Sequence, residues 1–255
     1  MTLSGHLPSE DEIVSLCLPQ ETRTNGIQYG KDLWIKFGED VSKDEVYAQM
    51  YAFQHGDRSI VSIPEVYHWF QRDGRTYILM EFIEGEGLAQ YLKSNPSQSD
   101  KWDAAVSAAV KNLWEFPVPK DAKPGPLGGG MPTGPLWSLW RGFSVNQTFQ
   151  SMEELESWIN GKLQRSGRPE RVNFSSERLI FSHGDLAQRQ FIVQGSKLFL
   201  VDFGATGFYP SCFDEVGLFS LGRWYDRIRS KLFPSQSANL LGMFWVRRLN
   251  QIGFD

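Results

Sequence analysis

The sequence predicts an α+β protein of two lobes, a small β-rich N-terminal lobe over residues 1–83 and a larger, mainly helical C-terminal lobe over residues 84–255. Three observations carry this expectation. Short β-rich runs separated by turn residues fill most of the first third of the chain. After Gly85 and Gly87 the apolar spacing changes to that of helices. One apolar hairpin, near residues 191–201, then interrupts the helical part. A chain of 255 residues, 41% of them hydrophobic, is long enough to bury a substantial core.

In chain order, Leu33, Ile35 and Phe37 alternate with Trp34 and Lys36, so a strand here sends Lys36 to the face opposite the apolar trio. Ser42-Lys43-Asp44-Glu45 matches a capping box. Val46, Met50 and Phe53 follow at helical spacing and predict an amphipathic helix ending near Gly56. Val66–Phe70 and Thr76–Ile83 flank a hairpin turn around Asp73-Gly74. Trp102, Val106, Ala109 and Leu113 predict a helix stopped by Pro117 and Pro119. The stretch Lys120–Pro135 has no periodicity and reads as a loop. Its Gly128-Gly129-Gly130 triplet has no strand before it and no Lys-Ser/Thr after it, so a plain flexible loop is favoured over a phosphate cradle. A second capping box, Ser151 to Glu154, opens a helix carrying Leu155, Trp158, Ile159 and Leu163.

Composition narrows the function. The 26 Lys and Arg against 30 Asp and Glu give a net charge of −4 without a block of like charge, which argues against a nucleic-acid partner. No apolar run approaches the roughly 18 residues of a membrane span, and the polar, acidic opening is unlike a signal peptide, so the expected location is the cytoplasm. Cys17 and Cys212 lie far apart, and His6, His55, His68 and His183 show no metal-binding spacing. These features fit a reducing compartment and no structural zinc.

The stretch from Glu177 to Asp214 is the most informative. Two apolar strands, Phe191–Val193 and Leu198–Val201, are joined by a four-residue connection, Gln194-Gly195-Ser196-Lys197. Folding about residue 196 brings position 190 opposite position 202 to within about one residue, so Gln190 and Asp202 share one end of the hairpin. Asp185, five residues upstream in a His-Gly-Asp loop, bends back towards that end. Singly, Asp185 fits a turn cap and Asp202-Phe203-Gly204 a strand end with a tight turn. Together, two carboxylates and an amide suit magnesium-assisted phosphoryl transfer, in which one carboxylate and the amide oxygen hold the metal and the second carboxylate orients the attacking hydroxyl.

These residues resemble the aminoglycoside phosphotransferase and choline kinase family. The resemblance rests on His183-Gly184-Asp185-Leu186, position 190, Asp202-Phe203-Gly204 and Gly207-Phe208-Tyr209-Pro210. Upstream it extends through Ile35-Lys36-Phe37-Gly38 and residues 77–85, and so covers most of residues 30–215. The compact length and the phrase Lys36-Phe37-Gly38-Glu39-Asp40-Val41 look most like short, fungal-type members. The resemblance implies a protein-kinase-like fold and an ATP- and Mg2+-dependent (or Mn2+-dependent) kinase of a small-molecule hydroxyl. It also implies roles: Lys36 on the nucleotide phosphates, Glu45 paired with Lys36, and Met80, Glu81, Phe82 and Ile83 as the hinge that binds adenine. Asp185 is then the catalytic base, Asp202 and Gln190 the metal ligands, and His183 a structural residue of the loop. Asp214 caps or braces the helix after the Tyr-Pro turn. Read without the family, Lys36 fits an ordinary strand lysine, Glu45 the acceptor half of its capping box, and Met80–Ile83 a buried strand.

The chain departs from the family at two places. Gln190 stands where the family usually has Asn, which adds a methylene and displaces the amide by up to about 1.5 Å, a C–C bond length. Residues 24–30 are not GxGxxG and fit a short turn. Two alternatives therefore accompany the kinase reading: a pseudokinase that binds nucleotide or a partner, and a kinase-like pocket repurposed for another reaction. The aromatic and arginine residues between Ser220 and Asp255 read as core aromatics with snorkelling surface arginines rather than as an acceptor pocket.

Overall fold

The computed structural model describes residues 7–18, 24–134, 136, 145, 147–219 and 222–254. Pro135, Ser220 and Asp255, used above as bounds, and the first six residues of the chain lie outside this set.

The chain opens with a helix the strand-dominated reading did not expect, α1 (Glu10–Cys17). Ser9 accepts from the Glu12 N–H while the Glu12 carboxylate returns to the Ser9 N–H, a complete capping box that satisfies helix-end donors. Then follow β1 (Thr24–Tyr29), β2 (Leu33–Gly38), α2 (Lys43–His55), β3 (Val66–Arg72) and β4 (Arg75–Glu81). The four strands form an antiparallel sheet in the order β1-β2-β4-β3. Residues 24–29 are thus an edge strand paired with β2, not a short turn. The β3–β4 turn places Asp73 at φ 52° and Gly74 at φ 73°, the doubly positive turn that matches strand twist.

Period-two alternation separates the two faces of this sheet. Ile35, Phe37, Phe70, Tyr77 and Leu79 pack with Ile13 and Cys17 of α1 on one face. Ile78 and Met80 pack with Val41 and Val46 on the other, beneath α2. Each such fully buried side chain contributes about 1.5–3 kcal/mol. The α2 stripe differs from the expected one: Glu45, Val46, Ala48, Gln49 and Ala52 are buried, whereas Met50 is 46% exposed. The inward face carries two small residues, Ala48 and Ala52, beside the polar Glu45 and Gln49, which find partners in Lys36 and Pro64 O.

The remainder contains β5 (Glu86–Gly87), α3 (Leu88–Ser94), α4 (Ser99–Trp114), α5 (Met152–Arg165), β6 (Leu179–Ser182), β7 (Phe191–Gln194), β8 (Lys197–Leu200), β9 (Gly207–Pro210), α6 (Cys212–Leu218), α7 (Arg223–Leu232) and α8 (Leu240–Gln251). Helices α4 and α7 pack on the β7–β8 hairpin through Trp102, Val106, Phe191 and Ile228. A second apolar cluster gathers α5, α6 and α8. Residues 207–210, expected as a turn, form a strand antiparallel to β6. The hairpin connection is two residues rather than four, because Gln194 pairs with Lys197 across Gly195-Ser196.

The hairpin also ties the lobes. Ser62 donates to Leu198 O and accepts from Leu200 N on one edge, and β5 pairs with β7 on the other. Gln194 Nε2 donates to Glu84 O at 2.9 Å. The C-terminal arginines do not all snorkel: Arg247 is buried and donates to Val216 O, and Arg227 pairs with fully buried Asp103 at 2.6 Å.

Candidate active site

Alternation along β2 sends Lys36 away from the α1-facing core and towards α2. There Nζ meets Glu45 Oε1 and, at 2.8 Å, Asp202 Oδ1. Glu45 is 3% exposed, and its carboxylate does not return to the helix end as a capping box requires. Ser42 alone caps α2, accepting from the Glu45 N–H at 3.3 Å. The expected second half of the box is absent because the buried ammonium is the stronger partner for a carboxylate.

The electrostatics follow from one cation between two carboxylates. Burial opposes the charge on Lys36, but Glu45 and Asp202 outweigh it and hold the ammonium above its usual range. Complete burial pushes the Glu45 carboxyl up despite Lys36. Burial also opposes ionisation of Asp202, yet the contact with Lys36 prevails and keeps its carboxyl below the usual range.

Asp202 ends the hairpin in the left-handed region, φ 68° and ψ 71°, uncommon for a residue with a Cβ. Its backbone thus leaves the line of β8 just where its carboxylate meets Lys36. On the other strand, Gln190 O accepts from Val201 N at 2.9 Å, so residue 190 lies opposite 201, one position from Asp202. The Gln190 amide bridges the carboxylates, Nε2 donating to Asp185 Oδ2 at 2.7 Å and to Asp202 Oδ2 at 3.0 Å.

The loop bearing Asp185 is held from below. His183 is fully buried, with Nε2 at 3.1 Å from Val201 O and Nδ1 accepting from Asp185 N at 3.4 Å. Thr206 Oγ1 donates to His183 O. Gly184 has φ 76°, and a Cβ there would overlap the Ala205 carbonyl, so both backbone and space require glycine. Asp214 accepts from Ser182 Oγ at 2.5 Å and from Trp114 Nε1 at 2.7 Å. It therefore braces the loop at its root rather than the helix that follows the Tyr-Pro segment. Burial raises its carboxyl above the usual range against these donors.

Beside the lysine cluster opens a cleft of about 530 Å3. Met80, Glu81, Phe82 and Ile83 line one wall, Trp34 and Gly26 the roof, and Ile192, Val201 and Asp202 the floor. Glu81 N–H donates to Glu65 O and Phe82 N–H to Asp32 O, whereas the Ile83 N–H has no partner among the described residues. The cleft can take a flat aromatic base at the apolar end and polyanionic phosphates beside Lys36.

Among the described residues no group of three or more His, Cys, Asp and Glu gathers as a metal site. Two oxygen ligands suffice for Mg2+, which keeps several waters and takes phosphate oxygens for the rest. The Gln190 amide lies where two carboxylates converge, and half a turn about its last bond brings Oε1 to the same point. Asp202 and Gln190 thus fit a hard divalent cation.

Two neighbours of the site escaped the sequence reading. Arg189 pairs with Asp185 Oδ2 at 2.5 Å, although the two lie on a loop and the short turn after it, where a spacing of four carries no signal. By sequence, Trp34 marks only the face opposite the apolar trio. Its indole lies against β1, where a Cβ on Gly26 would come under 3.0 Å from its ring, and its ring stacks on Phe82 at 6.2 Å. No local pattern links Gly26 to Trp34.

A lysine–carboxylate pair from a sheet and its helix, set over a loop and hairpin carrying two more carboxylates, defines the two-lobed protein-kinase-like fold. No protein-family model matches the sequence, and no curated protein does. Solved structures do match. Aminoglycoside phosphotransferase APH(4)-Ia, as the apo form of a thermostable mutant, is similar with a TM-score of 0.62 at 10% identity, over 96% of this chain and 90% of that one. A ternary complex of a thermostable mutant of that enzyme with AMP-PNP and hygromycin B gives 0.59 at 12% identity, over 95% and 89%. The streptomycin-ATP-APH(2")-IIa ternary complex gives 0.53 at 14% identity, over 97% and 90%. The chain has the kinase-like fold of aminoglycoside phosphotransferases. Among the described residues, no helix is long and apolar enough to cross a membrane.

Proposed function

We propose that the chain is an ATP-dependent phosphotransferase acting on a hydroxyl of a small molecule, with Mg2+ or Mn2+ as its metal. The observation that carries this reading is the meeting of Lys36, Glu45, Asp185, Gln190 and Asp202, drawn from both lobes, at one end of a nucleotide-sized cleft. Relatives in fold were crystallised with AMP-PNP or ATP and an aminoglycoside, which supports the same division into nucleotide and acceptor sides. The reading places the chain among short, fungal-type members of that group, with the lobes divided after Ile83 and the protein in the cytoplasm.

In this mechanism Lys36 binds the phosphates, kept charged and aimed by Glu45. The base lies between Trp34 and the hinge residues Met80–Ile83, where the Ile83 N–H, without a partner among the described residues, offers a donor. Asp202 and, with its amide turned, Gln190 would hold the metal, which would supply charge neutralisation on the phosphates. Asp185 accepts the proton of the acceptor hydroxyl, its carboxylate fixed by Arg189 on the solvent side. Arg189 adds positive charge where the phosphoryl group crosses. Catalysis is alignment and charge stabilisation rather than covalent chemistry.

ATP with either metal should raise the melting temperature, since ligand at about 100 times its dissociation constant stabilises by roughly 2.7 kcal/mol. Turnover against a panel of hydroxylated metabolites, aminoglycosides included, then tests transfer. Calorimetry without nucleotide binding under either metal overturns the reading.

A nucleotide-binding pseudokinase is favoured by one feature: the Gln190 amide presents donors to both carboxylates, where a metal requires an acceptor. Gln190→Asn separates the two. If position 190 is a strained ligand, the shorter amide should increase Mg2+-supported turnover and narrow any advantage of Mn2+. A variant that gains no turnover with either metal would favour the pseudokinase, and one less active than wild type with both metals would overturn the strained-ligand reading.

A further inference from the structure

The glycine-rich segment 125–134 was expected to be a plain loop, but it makes close backbone approaches to three parts of the site. Gly125 bridges Phe208 through two backbone hydrogen bonds of 3.0 and 2.9 Å. Thr133 Oγ1 donates to Gly204 O at 2.7 Å, next to Asp202-Phe203. Between these anchors, Gly128 and Gly130 close on the carboxylate of Asp44 in the first turn of α2. A Cβ on Gly128 would lie under 3.0 Å from Asp44 Oδ1, and one on Gly130 under 3.0 Å from Oδ2. Neither glycine has a positive φ, so the backbone would accept alanine at both. What they provide is space. The Gly130 N–H adds a hydrogen bond to Asp44 Oδ1 at 3.3 Å.

The next residue along α2 is Glu45, and on its far side a Cβ on Gly204 would stand 3.2 Å from Glu45 Oε2. The first turn of α2 is therefore enclosed by the strap at Asp44 and by the Asp-Phe-Gly segment at Glu45. We propose that Gly128 and Gly130 form a notch that seats the Asp44 carboxylate and so keeps Glu45 within reach of Lys36. Asp44, Gly128 and Gly130 are positioning residues for the phosphate-binding lysine. The consequence for nucleotide rests on the phosphotransferase reading, while the seating of α2 does not.

The test is a double-mutant cycle on Asp44→Ala and Gly130→Ala, read by hydrogen exchange of the α2 amides and by calorimetric affinity for ATP with magnesium. Each single variant should speed exchange in α2 and weaken nucleotide binding by about tenfold, with the melting temperature near that of wild type. The double variant should be no worse than Asp44→Ala, since without the carboxylate the added methyl meets nothing. Asp44→Asn, which keeps an acceptor for the Gly130 N–H, should restore slow exchange. Fully additive effects, or unchanged exchange in both single variants, overturn the proposal. If Gly130→Ala does not fold, Asp44→Ala against Asp44→Asn decides by the same exchange measurement. Wild-type protein without nucleotide affinity would remove the phosphotransferase reading, and the exchange arm would still decide the seating.

Discussion

Replacing Asp185 by alanine should lower turnover by roughly a thousandfold, inside the range of about 10²–10⁴ that a positioned general base contributes, while ATP affinity stays near that of wild type. The geometry separates the two effects. Asp202 and Lys36 line the nucleotide cleft, but among the described residues Asp185 does not, being joined to it only through the Gln190 amide. Its Oδ2 is held by Arg189, an orientation that leaves Oδ1 to meet an incoming hydroxyl. Steady-state turnover beside a calorimetric titration checks both halves. Unchanged turnover would assign the activity to a contaminant or to another mechanism. Affinity falling in step with turnover would move Asp185 to the nucleotide side.

Much of this site was legible because its determinants are local. The Asp185, Gln190 and Asp202 cluster follows from a single hairpin, and two-residue periodicity is enough to place Gln190 near Asp202, although the connection proved two residues shorter than expected. Lys36 was legible by face and Glu45 by family spacing. The local rule for Glu45 nonetheless pointed elsewhere: its capping box was left half made because a buried ammonium 9 residues upstream outcompetes a helix-end N–H. Helix α1 carries the same motif at Ser9 and Glu12, where the polar surroundings leave too short an apolar stripe to mark a helix. What a single sequence does not display is long-range steric fit. Gly26 beneath Trp34, Gly184 against Ala205 and Gly130 against Asp44 are separated by 8, 21 and 86 residues, and nothing near each glycine in the sequence names the group that closes on it.

Lys36→Ala should be the most damaging single change to the fold and to nucleotide binding together. It leaves Glu45, wholly buried, without its counter-charge and facing Asp202. Removing one partner of a buried ion pair costs about 3–5 kcal/mol because the remaining charge is uncompensated. Urea unfolding should show that loss, and the Lys36→Ala, Glu45→Gln double variant should recover most of it by neutralising the orphaned carboxylate. Nucleotide affinity should not recover, since neither variant restores a cation for the phosphates. The penalty also has a pH signature. Glu45 is held above its usual range even beside Lys36, so the folded state takes up its proton more readily than the unfolded one. Protonation therefore stabilises the fold, and the Lys36→Ala penalty should shrink as pH falls from about 7 towards about 5. A penalty independent of pH, or nucleotide affinity regained by the double variant, would show that Lys36 does not act as the charge shared between Glu45 and the phosphates.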